Sequence, residues 1–207
     1  HRAGALSAEG DHLMVSSNGH RAVMDGTHLA DFSQLDRPVA TRVVYLVGTA
    51  TTSRDLVHDA AAEDEVWGLN ASYDWMPCWT RWFEMHDRDR YDHFRGAHLE
   101  WLRSATCPIY MAKRYDDIPM SQAFPIEHAT QAGRFRPLFT STVAYMLALA
   151  IADGFQEIRF AGIDMAVDSE YAHQRSALEY WLGVAEAQGV KVVIPDNSPI
   201  GKAPLYG

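Results

Sequence analysis

Cysteine is nearly missing from this 207-residue chain: Cys78 and Cys107 are the whole complement, with no CxxC spacing between or around them. That excludes a zinc ribbon and a disulfide-stapled scaffold, and it predicts free, buried thiols. Basic residues are also in the minority, 18 Lys and Arg against 27 Asp and Glu, for a net charge of −9. A protein that coats nucleic acid needs an excess of base, so that class is excluded, although Arg81, Arg88, Arg90, Arg95, Arg103, Lys113 and Arg114 leave room for a local basic patch. Long apolar runs are absent too. The longest, Val143–Ala152, falls short of the ~20 residues that span a bilayer. No basic-then-apolar secretory signal opens the chain, and together these features predict a cytoplasmic protein without a membrane partner.

What is abundant is aromatic. The hydrophobic fraction is 47% and the chain has six tryptophans, of which Trp67, Trp75, Trp79, Trp82 and Trp101 fall within one short stretch. Trp67 and Trp82 sit in strand-like segments and read as core. Trp75 and Trp79 fall in a connecting loop, as rim packing or as a face on which a base or sugar stacks.

Residues 1–41 are rich in Gly, Ser, His and Asp, and an Asn18-Gly19 pair between short apolar segments suggests a hairpin. They read as an N-terminal appendage ending in a linker at Asp36-Arg37-Pro38. From residue 42 to 207 the pattern alternates between strand and helix. Strands are expected at Val43–Val47, Glu65–Leu69, Arg81–Met85, Pro108–Met111, Glu157–Ala161 and Val190–Ile194. Helices are expected at Arg54–Ala62 (capped by Thr52 or Ser53), Ala97–Ser104, about Thr140–Asp153 and Ser169–Gln188. Continuous β-branched runs such as Val43–Val47 belong to strands covered on both faces. The expected architecture is therefore a three-layer, Rossmann-like α/β domain: a mostly parallel sheet with helices on both faces.

In such folds ligands bind beyond the carboxyl ends of the strands. That rule selects Gly48-Thr49-Ala50-Thr51-Thr52-Ser53, whose small residues let backbone approach a phosphate, and Asn70, which offers a donor and an acceptor. It also selects Glu84-Met85-His86-Asp87, where His86 is a candidate general base oriented by Asp87, and Gly162-Ile163-Asp164-Met165, with Tyr171 and His173 close behind. Ser141, at a helix start, reads as an N-cap, and no GxSxG elbow surrounds it. Asp87-Arg88-Asp89 has the spacing of a DxD metal motif, a pattern that chance often supplies in an acidic chain, and no metal is assigned.

Several of these segments carry a resemblance: Gly48 to Ser53, Leu69-Asn70, Phe139 to Met146, Ala150 to Ile158 and Ala161 to Met165. They look like the bacterial α-2,3/2,8-sialyltransferases of Campylobacter type (glycosyltransferase family 42). Together with Trp67 to His86, they look still more like a group of tailed-phage proteins that share the core. The resemblance spans about residues 42–206 and is strongest over 139–171. It implies a nucleotide-sugar donor, inverting and metal-independent transfer, and no further cofactor. Gly48, Thr49 and Ser53 would then face the phosphate, Asn70 and Ser141 would hold donor groups, and Asp164 would lie near the nucleotide. Tyr171 matches one of two tyrosines that steady the leaving phosphate.

The chain departs from that pattern at three points. Thr51 stands where proline is expected, Ala166 stands where the second tyrosine would fall, and the lid that bears the family's catalytic histidine is absent. His86 and His173 remain as candidate bases. Two readings follow. One is a phage-type glycosyltransferase acting on a glycan, a modified DNA base or a virion protein. The other is a non-catalytic, virion-associated or partner-binding protein that keeps the fold, with a homo-oligomer or virion assembly as its setting.

Overall fold

The computed structural model describes residues 41–70, 72–73, 78–88, 95–165 and 169–202, the side chains of 169–172 excepted. The expected hairpin, Trp75, Asp89 and Ala166 lie outside the described residues.

Seven strands form one sheet: β1 (Val43–Val47), β2 (Glu65–Leu69), β3 (Arg81–Glu84), β4 (Ile109–Met111), β5 (Ser121–Ala123), β6 (Glu157–Ala161) and β7 (Lys191–Val193). Their spatial order is β5-β4-β3-β2-β1-β6-β7 and every neighbouring pair is parallel. "Mostly parallel" thus becomes wholly parallel. The connecting helices are α1 (Gly96–Ser104), α2 (Ile126–Ala129), α3 (Thr142–Ala152) and α4 (Ser169–Ala187). Among the described residues no helix is long and apolar enough to cross a membrane.

Side chains alternate across the sheet and build a core on each face. Val44, Leu46, Trp67 and Phe83 pack with α3 and α4, where Met146, Leu147, Leu178 and Trp181 are buried. On the other face Trp82, Ile109 and Met111 pack against Leu102 of α1, while Tyr45, Val47 and Val66 pack against Val57. α3 is apolar around nearly its whole circumference because it lies between the sheet and its neighbouring helices.

The tryptophans divide as their strands dictate. Trp67 and Trp82 are fully buried on opposite faces. Trp79 lies edge-on to Trp82, with centroids 4.9 Å apart, and Trp101 packs on Trp82 at 4.4 Å. Trp79 therefore covers the α1-side core, and it is not part of the ligand cleft described below.

Three local expectations need correction. The segment after β1 is a 3-10 helix, Arg54–Asp59, rather than an α-helix to residue 62. No side chain caps it, because Ser53 has turned its hydroxyl elsewhere. β5 and α2 lie in a segment with no expected element. Cys107 is buried, and burial raises its thiol pKa, but Cys78 is exposed.

Candidate functional site

The order of the strands places a switch point between β1 and β6: from β1 the chain runs outward through β2 to β5, then returns to the other side of β1. Crossovers on the two sides leave in opposite directions, so the carboxyl ends of β1 and β6 part and open a crevice. A cleft of about 610 Å³ lies there, within the ~300–1,000 Å³ usual for small-molecule sites.

Two glycines make the floor. Gly48 N–H donates to the Ala161 carbonyl at 2.8 Å, and Ala50 N–H donates to the Gly162 carbonyl at 2.9 Å. The two turns press so closely that a Cβ on Gly48 would stand 2.3 Å from the Gly162 oxygen. Gly162 also has φ of +66°, a left-handed conformation suited to glycine. Beneath this floor the buried Ser53 hydroxyl accepts the Gly162 N–H at 3.1 Å. Ser53 is thus committed to the turn and does not line the cleft. Ser53→Ala leaves a buried donor unpaired and is expected to cost about 1–2 kcal/mol in a denaturant titration.

The walls come from β2, β3, β6 and the start of α3. Asn70 has φ of +53° at the end of β2, and its N–H continues the ladder to the Phe83 carbonyl. Its Oδ1 faces the Thr142 hydroxyl at 3.5 Å. The side-chain NH2 has no hydrogen-bond partner among the described residues. Ser141 caps α3, accepting the Ala144 N–H at 3.2 Å, and lines the cleft as well. The positive end of the α3 dipole therefore meets the cavity. Asp164 accepts the Thr52 hydroxyl at 2.5 Å on Oδ2, which ties the β1 loop to the end of β6, and Asn197, beyond β7, donates to the Thr52 carbonyl. Asp164 Oδ1 is buried without a hydrogen-bond partner among the described residues. No lysine or arginine is among the described residues lining the cleft.

His86 lines the cleft from the end of β3, and the carboxylate on its Nδ1 is that of Glu84, 2.6 Å away. Glu84 is completely buried, and its second oxygen meets His98 Nε2 of α1 at 2.9 Å. Burial alone would push the Glu84 carboxyl up, but hydrogen bonds from His86 and His98 hold it down at about 2. The sequence places Glu84 in the selected strand end but gives it no role, does not select His98, and points to Asp87 as the orienting carboxylate, a place that the structure gives to Glu84. The available signal was a charged residue in a strand whose neighbour Trp82 reads as core.

Gly48, Thr49, Asn70, Ser141, Asp164 and His86 thus come together around one cavity. His173 is exposed in the first turns of α4 and outside the cleft lining; its carbonyl accepts the Thr140 hydroxyl at 3.1 Å. Tyr171 belongs to the same helix, its side chain outside the described residues. Tyr145 also lines the cleft: its ring stacks on Phe139 at 4.3 Å, and burial raises its phenol pKa. Among the described residues no three His, Cys, Asp or Glu side chains form a metal-holding group.

Sheet order defines a Rossmann-like α/β protein, with a cleft at its switch point. Among solved structures that fold is shared by the sialyltransferase CstII of Campylobacter jejuni. In complex with cytidine-5'-monophosphate, CstII matches 79% of this chain and 85% of its own, with a TM-score of 0.52 and 18% identity. With a trisaccharide acceptor and CMP it matches 79% and 86%, with a TM-score of 0.54 and 18% identity. No protein-family model and no curated protein matches the sequence.

Proposed function

We propose that the cleft binds a nucleotide-sugar and that the protein is a glycosyltransferase, inverting and metal-independent, with a glycan as acceptor. The observation that carries this reading is the coincidence of the cleft with the switch point of a fold seen in CstII bound to CMP. The residues suit it. Gly48 and Thr49 bring backbone close to the phosphate, and the α3 N-terminus and the Asn70 amide offer neutral donors to charge that grows as the phosphate departs. Asp164 accepts from hydroxyls of the nucleoside. The acceptor oxygen attacks the anomeric carbon, the bond from that carbon to the phosphate oxygen breaks, and the acceptor's proton passes to His86. The nucleotide leaves with the bonding electrons.

The competing reading is a non-catalytic protein that binds a partner or sits in a virion. It draws support from Ala166, where a leaving-group phenol would be expected. Binding without turnover of any sugar donor would favour it.

A thermal-shift series with CMP, UDP, GDP and their sugars tests the proposal. A ligand at about 100 times its Kd stabilises by ~2.7 kcal/mol, an increase of roughly 5–10 °C in a domain of this size. Asn70→Ala and Ser141→Ala are each expected to weaken the nucleotide that binds by about 5- to 10-fold, the worth of one hydrogen bond. A folded sample that shifts with no nucleotide overturns the proposal. Unchanged affinity in both variants moves the pocket elsewhere.

A further inference from the structure

We infer that Glu84 and His98 are positioning residues that hold the His86 ring as its Nδ1–H tautomer, making Nε2 the nitrogen that receives the acceptor's proton. The inference rests on the reading of the cleft as a transferase site.

The argument starts from what a carboxylate can do. Ionised, it only accepts hydrogen bonds, so each nitrogen that faces it must carry a hydrogen. Glu84 Oε1 lies 2.6 Å from His86 Nδ1 and also takes the His86 backbone N–H at 3.3 Å. Its Oε2 lies 2.9 Å from His98 Nε2. The contacts therefore specify Nδ1–H on His86 and Nε2–H on His98. A free neutral imidazole prefers the opposite arrangement for His86, so the tautomer is imposed by the protein. Two bonds to Glu84 from adjacent groups of one residue also fix the ring's direction.

His98 secures the carboxylate from behind. It is itself buried on α1, with its ring stacked on Tyr73 at 5.6 Å and 19°, and Tyr73 stacks in turn on Trp101 at 4.8 Å. With both oxygens engaged, Glu84 cannot rotate away from His86. A buried charge is a poor way to stabilise a strand, since an apolar side chain of similar size often does as well or better. Its presence two residues from the cleft histidine is accounted for by what it does to that histidine. When Nε2 takes the acceptor's proton, the cationic ring lies against an anionic carboxylate, and the cluster passes from a net −1 to neutral. The arrangement follows the physical logic of a carboxylate-supported histidine base.

Nitrogen-15 spectra of the histidine-labelled full chain read the tautomer directly and need no substrate. In its neutral form the His86 ring is expected to show a protonated Nδ1 and an unprotonated Nε2. In Glu84→Gln the side chain offers one acceptor and one donor, so one imidazole must change tautomer. The His86 backbone N–H also faces the Oε1 position and cannot change, so the amide oxygen is expected to stay on the His86 side and His98 to lose its Nε2–H population. His98→Gln keeps an N–H for Glu84 and is expected to preserve the His86 spectrum, whereas His98→Leu is expected to broaden or shift it. If a donor and acceptor pair is turned over, Glu84→Gln lowers kcat by about 100-fold or more with little change in KM. A wild-type His86 in the Nε2–H form overturns the inference, and the wild-type spectrum decides this even if a variant fails to fold. So does a Glu84→Gln spectrum identical to wild type. Failure of every nucleotide to bind would remove the transferase reading while leaving these spectra to stand or fall separately.

Discussion

Gly48→Ala is expected to lower the melting temperature by roughly 6–12 °C. The new Cβ would lie 2.3 Å from the Gly162 carbonyl oxygen, 2.8 Å from Ile163 Cγ1 and 3.1 Å from the Gly162 carbonyl carbon. The first and last of these are backbone atoms, and they have nowhere to go: β1 and β6 are in register up to Val47 and Ala161, and Gly48 N–H is bonded across the same junction. Relief requires the strands to separate at the switch point. Overpacking of this kind costs about 3 kcal/mol at the upper end of its usual range, which in a domain of this size gives the stated shift. Gly183→Ala is the control. It lies within α4, where an added Cβ meets nothing within 4 Å. Removing a helical glycine is worth up to ~1 kcal/mol, so this variant should melt slightly higher than wild type. Thermal melts followed by circular dichroism check both. A Gly48→Ala protein that melts with wild type would mean that the two turns do not press together.

The second large effect is loss of stability in acid, carried by Glu84. In the folded protein its carboxyl is held at about 2 against an ordinary 4.5, so the unfolded chain takes up the proton first. The stabilisation is complete above about pH 4.5 and disappears as the pH falls towards 2, and the interval corresponds to about 3 kcal/mol. Asp117 is also held low, by hydrogen bonds from Arg88 and Arg103, but that cluster is open to solvent and contributes little. Urea titrations at pH 5 and pH 2.5 on wild type and Glu84→Gln separate the contributions. Wild type should lose about 2 kcal/mol more than the variant over that range. Equal losses would show that Glu84 is not ionised against its two histidines.

Most of the sheet was legible because its inner strands carry continuous apolar runs. Val43–Val47, Glu65–Leu69 and Glu157–Ala161 occupy the expected residues, and Gly154 (φ +77°) follows the end of α3 as expected. β5 was not legible. Ser121-Gln122-Ala123 has no β-branched residue and is a strand only because β4 offers it a ladder at the sheet's edge. The cleft residues at the ends of β1, β2 and β6 could be read because the strand-end rule names positions without needing side-chain contacts. The Glu84 cluster could not. Alternation along β3 puts Glu84 on the same face as Trp82, but only the packing of α1 shows that this face is closed. Nothing in the linear order brings His98, fourteen residues on, to the same carboxylate. Ser53 misled for a related reason: a hydroxyl before a helix reads as a cap until a distant N–H, that of Gly162, claims it.

At the opposite end of the sheet, Asp153, which closes α3, is gripped on three sides. Arg81 pairs with its carboxylate, His128 meets the other oxygen at 2.7 Å, and Arg42 takes its carbonyl at 2.6 Å. Both arginines are themselves braced by Glu65. α3 therefore behaves as a strut bolted at its foot. It cannot slide along its axis without breaking those contacts, so the distance from Ser141 at its tip to the strand ends is set by the far side of the molecule. A substitution at Arg81, at the opposite end of β3 from the cleft, would show up as a change in the dimensions of the site.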